Sequence, residues 1–128
     1  MKTLSRISES AGNKKKLKVV FFGLGSIGSR LAGLIRDNFN YNLYAFRATK
    51  NSPNNLGIHE VYELNELKQL APDVAFITNP TSLHIDTAIQ SATLDMHLFI
   101  EKPLCNHLDK WEPLRKTVRE KQIISYVG

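Results

Sequence analysis

Glycines at 23, 25 and 28 form a Gly-x-Gly-x-x-Gly series directly after the apolar run Val19-Val20-Phe21-Phe22 and directly before a helical pattern through Leu31, Leu34 and Ile35. Such spacing lets a chain leave a strand, turn within a few residues and enter a helix whose first N–H groups have no intrahelical partner. Those donors, with the partial positive charge of the helix start, suit a phosphate. In this reading Gly23 permits the turn, Gly25 lets the backbone approach a pyrophosphate, and Gly28 lets the helix pack against the strand. Ser26 and Ile27 supply the intervening amides. The spacing alone is weak evidence, because loops use glycine freely. A strand before it and a helix after it make it a dinucleotide cradle.

Two further segments end apolar runs in residues that could do chemistry. Thr78-Asn79-Pro80-Thr81-Ser82-Leu83-His84 follows Val74–Ile77, and Glu101-Lys102-Pro103-Leu104 follows Leu98-Phe99-Ile100. Taken alone, Glu-Lys-Pro reads as a solvated strand end with a proline turn. At the mouth of a cofactor crevice the same residues could act on a bound substrate. Lys102 could transfer a proton only if burial or a neighbouring cation favoured its neutral form. As an electrostatic group it could hold a hydroxyl and stabilise developing alkoxide charge without that. His84 fits either a loop-fixing role at a helix start or direct contact with substrate. His59, His97 and His107 fall on different elements, so no metal site is expected. Cys105 reads as a small buried residue and Trp111 as packing or docking surface.

These segments need a scaffold that brings them together. Leu17–Phe22 reads as a first strand, 26 to about 39 as a helix, Leu43–Phe46 as a second strand, and 51–57 as a loop. Ile58–Val61 suits a short third strand, 65–70 a short helix, Val74–Thr78 a fourth strand, and 82–94 a helix. His97–Ile100 is a fifth strand, 108 to about 121 a last helix with Pro113 near its start, and Ile123–Val127 the start of a sixth strand. Strict alternation predicts an α/β fold, a doubly wound parallel sheet of Rossmann type and order 3-2-1-4-5-6. Ligand then binds where the connections of strands one and four diverge, at the carboxyl ends.

The end of strand two bears on cofactor choice. A site for NAD commonly places a carboxylate there, about 20 residues past the glycines. Between Asn38 and His59 there is none, whereas Arg47, Thr49 and Lys50 offer donors suited to a 2′-phosphate. The reading is NADP or NAD, with NADP slightly favoured.

The 128 residues suffice for one core, and 42% hydrophobic with 23% charged residues is ordinary globular composition. The net charge of +5 is concentrated at the start: Lys2, Arg6, Lys14, Lys15 and Lys16 against Glu9 make +4, which leaves +1 for 17–128. Residues 1–16 therefore read as a basic, polar, disordered tail and 17–128 as the folded domain. The near-neutral body argues against nucleic-acid binding. A single cysteine, no signal core and no apolar run of membrane length point to a cytoplasmic protein with no membrane partner.

The Gly23–Gly28 series, Pro72-Asp73-Val74 leading to Thr78–His84, and Glu101-Lys102-Pro103-Leu104, in that order, resemble the motifs of the Gfo/Idh/MocA family over 17–128. The resemblance implies an NAD(P)-binding Rossmann domain of an oxidoreductase moving hydride between a sugar or polyol hydroxyl carbon and NAD(P). It implies that Lys102 touches substrate and nicotinamide, that Glu101 and Pro80 line the cofactor site, and that 79–84 border the nicotinamide half. Family members carry a second, larger α/β domain with much of the sugar site and usually the dimer interface. That domain and its Asp-x-x-x-His-type pair have no counterpart in this sequence, so the expectation is a fragment that does not turn over alone, with Tyr126 and Val127 exposed and room for a homo-oligomer. The alternative is a non-catalytic Rossmann nucleotide-binding or regulatory module.

Overall fold

The computed structural model describes residues 16–50, 53–102 and 110–128. Expectations on the tail at 1–15 and on Asn51, Pro103, Leu104, Cys105, His107 and Leu108 lie outside these residues.

Strands β1 (Lys18–Phe22), β2 (Asn42–Phe46), β3 (His59–Val61), β4 (Val74–Ile77), β5 (His97–Ile100) and β6 (Ser125–Val127) form one sheet in the order β3-β2-β1-β4-β5-β6, every described pair parallel. This is the doubly wound α/β Rossmann arrangement read from the alternation of elements. Helices α1 (Ser26–Asn38), α2 (Leu64–Leu70), α3 (His84–Thr93) and α4 (Trp111–Glu120) connect the strands.

Why β1 lacks a polar alternation is visible in its packing, since side chains of a strand alternate between faces and both faces here are covered. Val20 and Phe22 join Ala75, Ile77, Leu98 and Ile100 in a core completed by Leu67 of α2, Ala88 and Ala92 of α3 and Leu114 of α4. Val19 and Phe21 join Ala45 and Ala32 of α1 on the other side. Register places Phe21, Phe76, Phe99 and Tyr126 side by side across four strands, with ring centroids 5.0, 5.0 and 5.4 Å apart in sequence along the row. The row runs from a fully buried Phe21 to Tyr126 at 63% exposure on the edge strand β6, where Val127, and Ile124 just before the strand, are exposed too. Trp111, partly exposed, borders a small groove with Leu98, Leu114 and Val127.

Most element boundaries differ from expectation by a residue or two, the last helix begins at Trp111 rather than 108, and two other differences are informative. The helix expected over 82–94 is split: Thr81–Leu83 forms a 3₁₀ turn and α3 begins at His84. Leu83 N–H donates to the Pro80 carbonyl at 2.8 Å, an i to i+3 bond that tightens the entry. The sixth strand pairs from Ser125 rather than Ile123. Ile123 N–H is drawn to the Val118 carbonyl and Ile124 N–H to His97 Nδ1, both at 2.9 Å.

Because the strands are parallel, the segments after β1, β4 and β5 emerge at one edge of the sheet from adjacent strands. The fold thus delivers the three chemistry-bearing segments to a common rim.

Candidate functional site

The turn after β1 is closed by contacts that admit no larger residue. Gly23 has φ +101°, and a Cβ there would lie 3.0–3.1 Å from Thr78 O and the Asn79 backbone. At Gly28 a Cβ would approach Gly23 O to 2.3 Å and Thr78 Oγ1 to 2.8 Å. Thr78 Oγ1 donates to the carbonyls of Gly23 (2.8 Å) and Phe22 (3.1 Å), and Ser29 Oγ donates to Leu24 O (2.8 Å). Those hydroxyls, which sequence reasoning did not single out, fix where α1 starts.

Gly25 differs from its two neighbours in the series. Its φ of −69° is open to any residue, and no atom lies within 4 Å of a Cβ built on it. Its carbonyl accepts the first helical bond, from Ser29 N–H at 2.8 Å. The amides of Ser26, Ile27 and Gly28 therefore lack helical carbonyls. No side chain caps α1 and no acidic residue lies in its first turn. This uncapped helix start beneath an open space fits a pyrophosphate.

A cleft of about 400 Å³ opens beside it, between the ends of β1, β2 and β4. It gathers Gly23, Arg47, Thr49, Asn79, Pro80 and Leu83 of the predicted residues, with Phe22 and Phe46 as apolar lining and Thr87 and Gln90 from α3. Exposed Ser26 and Ile27 stand on the first turn of α1 above buried Gly28. Thr81 is half-buried in the 3₁₀ turn.

His84 is buried, its Nε2 2.7 Å from the Asn79 carbonyl, while Asn79 Nδ2 donates to Thr87 Oγ1 at 2.9 Å. His84 thus holds the loop after β4 and does not line the cleft. Half-buried Glu101 and exposed Lys102 follow β5, outside the cleft lining. Their amides donate to the carbonyls of Ile77 (3.0 Å) and Gly128 (3.2 Å), which ties this segment to β4 and to the end of the chain.

The basic group after β2 is more structured than its sequence suggests. Arg47 Nη1 donates to Pro53 O at 2.7 Å and to Glu60 Oε2 at 3.4 Å. Glu60 also accepts from Tyr62 Oη and Asn54 Nδ2, each at 2.7 Å. The Tyr62 hydrogen bond first, then that of Asn54, and also the Arg47 charge, hold the Glu60 carboxyl below its ordinary value despite partial burial. The same bond, with burial and the carboxylate charge, raises the Tyr62 hydroxyl. Lys50 is exposed, its Nζ 5.5 Å from the centre of the Tyr62 ring. Glu60 was missed because it lies just beyond the 38–59 interval. The signal that could have found it is the pairing of β2 with β3, which sets Ala45 opposite Glu60.

Among the described residues no three His, Cys, Asp or Glu are grouped to hold a metal ion, and no helix is long and apolar enough to cross a membrane.

The family model described as "Oxidoreductase family, NAD-binding Rossmann fold" (GFO_IDH_MocA) matches residues 17–128. The chain belongs to the Gfo/Idh/MocA oxidoreductase family. Among solved structures of Gfo/Idh/MocA type, it is similar to myo-inositol 2-dehydrogenase from Lactobacillus plantarum, with 24% identity and TM-score 0.73, covering 89% of this chain and 36% of that one. It is also similar to scyllo-inositol dehydrogenase from Lactobacillus casei with bound NAD(H) and scyllo-inositol: 22% identity, TM-score 0.76, 89% of this chain and 36% of that one. A third is the WlbA dehydrogenase from Chromobacterium violaceum in complex with NADH and UDP-GlcNAcA, at 18% identity and TM-score 0.76, with 88% and 35% covered. At these identities the solved structures share the fold, and the chain spans about a third of their length.

Proposed function

We propose that this chain is the nicotinamide-dinucleotide-binding part of an oxidoreductase that moves hydride between a sugar or polyol hydroxyl carbon and NAD(P). The observation that carries the reading is the uncapped start of α1 facing open space at Gly25, beside the cleft. In this reading the amides of Ser26, Ile27 and Gly28 hold the pyrophosphate. Gly23, Asn79, Pro80, Thr81 and Leu83 shape the nicotinamide side, and His84 fixes that loop from beneath. Arg47, Thr49 and Lys50 meet the adenosine ribose and favour NADP modestly over NAD. The nicotinamide, when bound, supplies the hydride chemistry. Glu101 lines the rim, and Lys102, exposed at the end of β5, meets a substrate hydroxyl electrostatically.

The substrate class rests on family membership and on the inositol ligand of one structural relative. Self-association through the exposed β6 edge belongs to the same reading, and a monomer at high concentration in light scattering would remove that part alone.

Calorimetric titration of the 128-residue chain with NADP and NAD tests the assignment. Saturable binding of both, tighter for NADP, is expected, with none in Gly25→Val. Unchanged affinity in Gly25→Val would refute the placement, and tighter NAD would overturn the preference. Arg47→Asp should shift the affinity ratio toward NAD, and no change there would exonerate Arg47.

A further inference from the structure

Arg47 is the cleft-lining cation after β2, and it is tied from behind to a carboxylate that does not line the cleft. Its Nη1 bonds Pro53 O and Glu60 Oε2, and its amide donates to Val61 O at 3.0 Å. The two side chains are 10% and 13% exposed, so solvent screens the pair less than it would a surface pair. Glu60 is itself held by Tyr62 and Asn54, which keeps its charge at a fixed place beside the guanidinium.

From this geometry we infer that Glu60 is a specificity-determining residue, its carboxylate damping the positive charge that Arg47 offers a 2′-phosphate and so keeping the preference between NADP and NAD small. The inference rests on the dinucleotide reading above. The two cofactors share the pyrophosphate and both nucleosides, so every contact at the start of α1 cancels when their affinities are compared. What remains is the potential at the 2′ position. There Arg47 attracts a phosphate and Glu60, immediately behind it, repels the same phosphate. A neutral 2′-hydroxyl feels little of either.

Glu60→Gln removes the charge and keeps an oxygen for one of the two donors, since Tyr62 and Asn54 bond different carboxylate oxygens. Titrations of the wild-type chain and this variant with NADP and NAD should show the ratio of their affinities rising toward NADP by roughly fivefold, the size expected for one charge under partial screening. A second charge-removing variant, Glu60→Ala, must move the ratio the same way. Tyr62→Phe loses one hydrogen bond to Glu60 without changing any charge and should leave the ratio where it is. An unchanged or falling ratio in the Glu60 variants would overturn the inference. So would an equal shift in Tyr62→Phe, which would mean that local architecture is responsible. If both cofactors bind but the ratio stays fixed, this inference alone fails. If neither binds the wild-type chain, the dinucleotide reading fails and takes the inference with it.

Discussion

Gly25 and Gly28 stand three residues apart in one motif and carry different burdens. A Cβ at Gly28 would meet the Gly23 carbonyl oxygen at 2.3 Å, whereas Gly25 has nothing within 4 Å. Gly28→Ala should therefore destabilise the fold by about 1–3 kcal/mol, as overpacking against backbone does. Gly25→Val should leave denaturant midpoints nearly unchanged while removing dinucleotide binding. Comparing urea melts with binding titrations on both variants separates the two roles, and equal destabilisation would contradict the division. The motif was legible because glycine types and spacing are local. Glu60 was not, because its partner Arg47 is 13 residues away and meets it only through the pairing of β2 with β3. Its carboxyl is held below the ordinary 4.5, so the stability it contributes is complete above that value and fades as pH falls below it through the lowered folded value. The wild-type melting temperature should exceed that of Glu60→Gln at neutral pH, and the gap should close on acidification below about 4.5. A gap independent of pH would count against it.

The same contrast between local and distant information holds for elements. Strand and helix types followed from apolar runs and helical spacing, and the parallel pairing of the sheet followed from their alternation. The split before α3 did not, because it depends on how Pro80 and Leu83 tighten the chain and on His84 turning inward to the Asn79 carbonyl. The start of β6 likewise depends on His97 capturing the Ile124 amide across the sheet. At this scale His84→Ala is informative. It strips the Asn79 carbonyl of its imidazole partner and empties a buried site, which should cost about 1–3 kcal/mol. Because the released loop borders the cleft, dinucleotide affinity should fall as well. Thermal melts and titrations on one sample check both, and a loss of stability with unchanged affinity would place the β4 loop outside the binding site.

Across the whole molecule, the parallel sheet turns three distant segments into one rim, with the cleft between β1, β2 and β4 and Lys102 on the far side at β5. The rim suits a cofactor, and among the described residues Lys102 stands exposed there, outside the cleft lining. Orientation supplies a large share of catalysis. The 128 residues alone should therefore bind dinucleotide and show no turnover across a panel of sugars and polyols, as read by nicotinamide absorbance. Robust turnover would mean that this rim suffices as an active site.

A dinucleotide whose pyrophosphate sits on the first turn of α1 should reveal itself in amide chemical shifts during a titration with NADP. The largest saturable changes should fall on Gly25, Ser26, Ile27 and Gly28, with smaller ones at Arg47, Thr49 and Asn79. Saturable shifts confined to other surfaces, or none at all at millimolar cofactor, would contradict that placement.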